Sequence, residues 1–178
     1  MDKVETPEDV RNQRNGGLNV GGTFDMGMND EFGIRALLGF GKTDFYGGAM
    51  VKWMPIPDVD SQPAMGINIG LIYGDDGDVS DLTFRFEPML SKKIAIEATT
   101  FTPYAAVPVG MRMRNADNAA VDDDNKATFQ LVVGSQLQIE KWKTLQFMAE
   151  FGIDLDNAPG YVAAAAVFYF DQEGFSVE

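Results

Sequence analysis

Met65-Gly66-Ile67-Asn68-Ile69-Gly70-Leu71-Ile72-Tyr73-Gly74 alternates bulky apolar residues with small or polar ones. In an extended chain successive side chains point to opposite faces. Met65, Ile67, Ile69, Leu71 and Tyr73 therefore share one face, opposite Gly66, Asn68, Gly70 and Gly74. This is a strand with one apolar and one polar face, and the polar face is poor in the Lys, Glu and Thr that a water-facing sheet carries.

The same period runs in both directions from this stretch. Towards the N-terminus, Ala49, Val51 and Trp53 oppose Gly48, Met50 and Lys52. Phe32, Ile34, Ala36, Leu38 and Phe40 oppose Gly33, Arg35, Leu37 and Gly39, and Leu18, Val20, Phe24, Met26 and Met28 oppose Gly21, Thr23, Asp25 and Gly27. Towards the C-terminus, Leu82, Phe84 and Phe86 oppose Thr83, Arg85 and Glu87. Ile94, Ile96 and Ala98 follow, then Ala105 to Met113 against Tyr104 to Arg114. Phe129 to Ile139 oppose Gln130, Gly134, Gln136 and Gln138; Leu145 to Leu155 oppose Glu150, Gly152 and Asp154; a last strand covers Tyr161 to Phe170.

Counted so, there are ten strands. Were Ile94–Thr99 joined to the next segment through a bulge the count would be nine. A closed barrel whose two ends finish on one side needs an even number, which favours ten, with eight as the alternative. The parity of apolar residues changes between Ile94–Thr99 and the next segment, which places a turn or bulge near Thr99–Pro103. Pro88 and Pro108 each remove a ladder hydrogen bond, and local bulges are expected there. Long connections at 55–63 and 115–126 both follow odd-numbered strands in this count, which puts them on one side. The chain divides into a polar segment 1–17, a strand region 18–170 and a tail 171–178. In the first of these Thr6-Pro7 reads as a short helix start.

Composition narrows the function. The chain has 178 residues, 45% of them hydrophobic, and a net charge of −13. No apolar run approaches the length of a transmembrane helix. The acidic balance excludes phosphate-backbone recognition, so no nucleic-acid partner is expected. There is no histidine and no cysteine, which removes a histidine base, a Ser-His-Asp triad and thiolate or imidazole metal sites. Glu150 and Asp154 lie about 13 Å apart on one strand face, too far for a shared catalytic task. Asp75-Asp76-Gly77-Asp78 and Asp122-Asp123-Asp124-Asn125 lack the spacing of a calcium loop. No enzyme, metal or cofactor is expected.

The polar face is rich in glycine and nearly charge-balanced. Asp25, Glu87, Glu97, Glu140, Glu150 and Asp154 stand against Arg35, Lys52, Arg85, Arg112 and Arg114, while the remaining 21 acids and 9 bases fall in loops and ends. Balanced charges and small residues fit a narrow, low-dielectric interior. Aromatics gather near strand ends: Phe32, Phe45, Tyr46, Trp53, Tyr73, Trp142, Tyr161, Phe168 and Phe170. Such positions match the girdles of a membrane barrel.

From Leu18 to Phe170 the chain resembles the small outer-membrane barrels of the OmpA/OmpX type, and Phe168-Tyr169-Phe170 is similar to the aromatic-ended last strand of that group. The resemblance implies a closed, up-and-down, transmembrane antiparallel β-barrel in a bacterial outer membrane. It implies outer-membrane lipid and lipopolysaccharide as surroundings, and the barrel assembly machinery as a partner during biogenesis. No signal peptide precedes the barrel, so the sequence is read as a mature exported chain. The expected interior network comprises Asp25, Arg35, Lys52, Arg85, Glu87, Arg112, Arg114, Gln130, Gln136, Gln138, Glu150 and Asp154. Its expected role is structural or interactive, or that of a narrow pore. Two alternatives stay open: a soluble lipocalin-like barrel with an apolar ligand inside, and an adhesion or assembly component acting through its acidic loops.

Overall fold

The computed structural model describes residues 18–59, 62–75, 77, 79–116, 124–142, 144–157 and 160–168. The expectations for 1–17 and 171–178 lie outside them. Every regular element among the described residues is a β-strand. In chain order these are β1 (Asn19–Gly27), β2 (Phe32–Gly41), β3 (Phe45–Ile56), β4 (Ala64–Asp75), β5 (Val79–Ser91), β6 (Ile94–Ile96), β7 (Thr99–Ala106), β8 (Val109–Ala116), β9 (Asp124–Ile139), β10 (Leu145–Asp156) and β11 (Tyr161–Phe168).

All pairings are antiparallel, and each long strand pairs with its neighbours in sequence. β7 and β8 are successive stretches of one strand: β5 and β9 each pair with both, so these four segments form a closed ring of pairings. The sheet thus has nine strand positions, with β6 folded back on β7 as a short hairpin arm. The hairpin turn falls at Glu97-Ala98, where Glu97 takes a positive φ of 48°, and not at Thr99–Pro103. The parity change read in the sequence is real, but it comes from a turn two residues earlier.

The prolines act together. Val107 N–H donates to Pro88 O at 3.0 Å, and Gln130 N–H donates to Pro108 O at 3.0 Å. The return bonds would need the N–H groups that the two prolines lack. Both missing donors fall at one level, and there the long strand breaks into β7 and β8. The expected pair of bulges is a single two-residue interruption. The register shifts elsewhere are Trp53/Ile56, next to Pro55, and Asp154/Asp156.

Because β6 does not span the sheet, the two long connections lie at opposite ends. The 57–63 connection leaves β3 beside Ser91, whereas β8 ends at Ala116 opposite Val79, at the far end. This corrects the one-sided arrangement. Asn19 and Phe168 likewise fall at opposite ends, so β1 and β11 run in the same direction. No pairing joins β1 to β11 among the described residues.

The 57–63 connection is clamped to the start of the β6 arm. Asp58 accepts from Lys92 Nζ and from the Lys93 backbone N–H, both at 2.5 Å, and Lys92 Nζ also reaches Gln62 O at 3.2 Å. The Lys92 ammonium first, and the Lys93 N–H second, hold the Asp58 carboxyl below its ordinary range. A depressed carboxyl stabilises the clamp above the unfolded-state pKa, and that contribution is lost as pH falls through about 4 and below. Protection of the Lys93 amide, taken relative to its intrinsic exchange rate at each pH, should fall over that window. In Asp58→Asn that protection should already be low at neutral pH and should not change further with acid.

Candidate functional site: the enclosed polar face

Alternation sends two sets of side chains to opposite sides, and their accessibilities differ. Asn68 and Gln130 are 4% exposed, whereas Leu71, Phe84 and Phe151 are 48%, 46% and 52% exposed. The apolar face is the outer one, and the polar face is the more covered of the two, although every residue of β1 is exposed. The sheet curls around that polar side: Arg35 on β2 lies within electrostatic reach of Glu87 on β5 and Glu150 on β10, and Tyr161 on β11 within reach of Arg85 and Glu87. The residues buried on the inner face beside Asn68 and Gln130 include Met50, Ala64, Val79, Ala106 and Val132.

Cross-strand register builds the polar clusters. Asp25 and Arg35 are directly opposed, and the guanidinium forks onto the carboxylate through Nε and Nη2, both at 2.8 Å. Lys52 Nζ joins the same carboxylate at 3.7 Å. A planar fork matched to a carboxylate is the strongest pairing available to these groups. On β5, Arg85 Nε donates to Glu87 Oε2 at 2.7 Å, and Asn68, opposite Glu87, donates to Oε1 at 2.9 Å. Arg114 forks onto Asp81, its cross-strand partner, at 2.8 and 2.9 Å. Gln146 donates to Gln138 at 3.0 Å.

The fourth carboxylate, Glu150, accepts from two phenols, Tyr104 Oη and Tyr161 Oη. Both tyrosines are seated by glycines. Tyr104 lies opposite Gly134 and Tyr161 opposite Gly152, and a third such pair joins Tyr46 to Gly39. In each pair a ring atom comes within 2.4 Å of where a β-carbon would stand on the glycine. The glycines of the polar face therefore do more than narrow the interior: they let aromatic rings lie flat on the neighbouring strand.

Of the predicted residues, Asp25, Arg35 and Lys52 meet in one cluster, Arg85 and Glu87 in a second, and Arg114 in a third. Glu150 anchors the fourth, and Gln138 pairs with Gln146. Gln130 sits opposite Asp154, Gln136 between Thr102 and Met148, and Arg112 between Thr83 and Lys126. Glu97 and Glu140, read as polar-face residues, are instead exposed turn residues. Tyr46 and Tyr161, read as girdle aromatics, belong to the inner face.

Asn68, Asp81, Tyr104 and Tyr161 join the network without having been expected in it. Asp81 looks like a loop residue until the early start of β5 is known; alternation already places Tyr104 on the polar face, and only register shows that it and Tyr161 meet at Glu150. Among the described residues no buried side-chain nitrogen or oxygen lacks a partner. What this arrangement does chemically is hold charge neutral and fixed within a narrow interior.

No protein-family model, no curated protein and no solved structure matches the chain. The functional reading therefore rests on the geometry.

Proposed function

We propose that this chain is a small transmembrane β-barrel of a bacterial outer membrane, with its interior filled by the polar network and a structural or interactive role. In this reading it is allied to the OmpA/OmpX-type barrels, from which its nine strand positions and its first and last strands running in one direction set it apart. Lipid and lipopolysaccharide surround it, and the barrel assembly machinery inserts it. The observation that carries the proposal is the inverted distribution of faces: a continuous apolar outer surface around a satisfied polar interior.

That outer surface has aromatic clusters at both ends. Phe40, Phe45 and Tyr73 group at one end; Phe32 stacks on Trp53 and Trp142 meets Phe147 at the other. Phe45 and Trp53 are eight residues apart on β3, about 26 Å along the strand. With a tilt of about 40° the height is on the order of 20 Å, close to the apolar band of such barrels. A lipocalin-like barrel needs its apolar face inside, the reverse of this arrangement.

Leu71→Arg separates the two environments. Leu71 lies mid-strand on the outer face, so in water the change should be worth no more than about ±0.5 kcal/mol. In a bilayer an arginine near mid-depth costs about 2–4 kcal/mol. Denaturant unfolding from vesicles should show the larger value. A monodisperse, folded wild type in plain buffer, with Leu71→Arg neutral, would reject the membrane reading.

A further inference from the structure

We propose that β1 is a strap that closes the wall in lipid by pairing in parallel with β11 of the same chain. This rests on the membrane reading above and names the joint that shuts the interior.

Each of these two strands is held on one side only. β1 pairs with β2 and β11 with β10, and no pairing covers their other edges among the described residues. All nine residues of β1 are exposed, and in β11 the run Ala164-Ala165-Ala166 is exposed on both faces. At Gly22 and Gly27 nothing lies within 4 Å of where a β-carbon would stand, so the space beside β1 is open. Water satisfies two such edges. Hydrocarbon does not, and every backbone N–H and C=O there needs a protein partner.

The two edges match in length, direction and parity. β1 has nine residues and β11 eight, and both start at the same end of the sheet. Asp25, opposite Arg35, faces inward on β1; Tyr161 and Ala163, opposite Gly152 and Glu150, face inward on β11. Odd-numbered residues thus line the interior on both strands, and a parallel pair keeps the polar face continuous across the joint. Curvature already brings the edges towards each other. Arg35 on β2 is within electrostatic reach of Glu150 on β10, and these are the strands next to the two edges.

Other occupants fit less well. The flanking segments 1–17 and 171–178 lack the alternation of a strand and hold seven acids and Pro7. A second barrel in the same membrane shares the orientation of the first, so it too offers only a parallel pair, without the curvature that favours the chain's own edge. A parallel ladder is slightly less stable per residue than an antiparallel one. Every other joint in the described wall is antiparallel, so this seam is where it parts most easily.

The chain has no cysteine, so introduced pairs report without background. Gly22→Cys is combined in turn with Val162→Cys, Ala164→Cys and Ala166→Cys, all on the outer face, and the full chain is inserted into phosphatidylcholine vesicles and recovered by flotation. Neighbouring strands place α-carbons within disulfide range. Under mild oxidation one pair should give cross-linked monomer at about ten times the level of Gly22→Cys with Leu71→Cys, three strands away. Phe24→Cys should then cross-link two residues further along β11, whereas an antiparallel pair would move the partner two residues back. Thr23→Cys with Ala163→Cys, Ala165→Cys or Val167→Cys repeats the test from the inner face if an outer pair fails to insert. Cross-linked dimers, a partner that moves backwards, or no cross-link in floated chains would overturn the strap alone. Wild-type chains that do not float would overturn the membrane reading with it.

Discussion

Gly152→Ala should destabilise the barrel by about 2–3 kcal/mol, while Gly22→Ala should change its stability by no more than about 0.5 kcal/mol. The two substitutions add the same methyl group to the same type of strand. At Gly152 the new carbon would stand 2.2 Å from Tyr161 Cε1 and 2.5 Å from Cδ1, well inside contact distance. The ring has little room to retreat, because its hydroxyl is held by Glu150. At Gly22 nothing lies within 4 Å. There alanine also restricts the unfolded chain and slightly favours the folded one. Unfolding in detergent or vesicles would measure both. The Gly152→Ala penalty should shrink sharply in a Tyr161→Ala background, since the atoms that clash are then gone. A penalty unchanged in that background would show that Gly152 is required for something other than seating the ring.

The glycines show what a sequence does and does not reveal. Period-two alternation from Leu18 onward is a local property, set by where side chains point, and so the strands and their faces were legible. The near-equality of charges on one face was legible too, because buried charges must balance wherever the strands pair. Register was not. Tyr46 and Tyr161 look like strand-end aromatics in the chain; parity places them on the polar face, but only register shows that each lies on a glycine, Gly39 and Gly152.

The strand count turns on a related point. Ile94-Ala95-Ile96 has the composition of a strand, but its extent is decided by the turn at Glu97-Ala98, which returns the chain after three residues. That one local event reverses every later strand relative to a ten-strand count, and so it moved the 115–126 connection to the other end. Pro88 and Pro108 were each read correctly as lost donors. That they fall at the same level, and so break one strand once, depends on pairing between β5, β9 and the strand between them.

Glu150→Ala should cost about 3–5 kcal/mol, more than loss of either phenol hydroxyl that binds it. The carboxylate is the common acceptor for Tyr104 and Tyr161, which come from strands on either side of β9 and β10. Removing it leaves two enclosed hydroxyls without their acceptor, at about 1–3 kcal/mol each. It also withdraws one of the negative charges that face Arg35 across the interior; Asp25 and Glu87 remain. Tyr104→Phe or Tyr161→Phe alone removes one donor and leaves the carboxylate the other, so each should cost about 1–1.5 kcal/mol. Glu150→Gln should fall between, since the amide keeps the shape and one acceptor but loses the charge. The decisive comparison is Glu150→Ala measured in the double Tyr104→Phe, Tyr161→Phe background. With no hydroxyls to strand, its cost should fall by at least 2 kcal/mol if the three side chains act as a unit. Strict additivity would mean that the phenols find other partners, and that the carboxylate serves Arg35 alone. The distinction bears on the interior as a whole. A network whose members depend on one another is filled or lost together, and its energetics are then those of the cluster and not of any one pair.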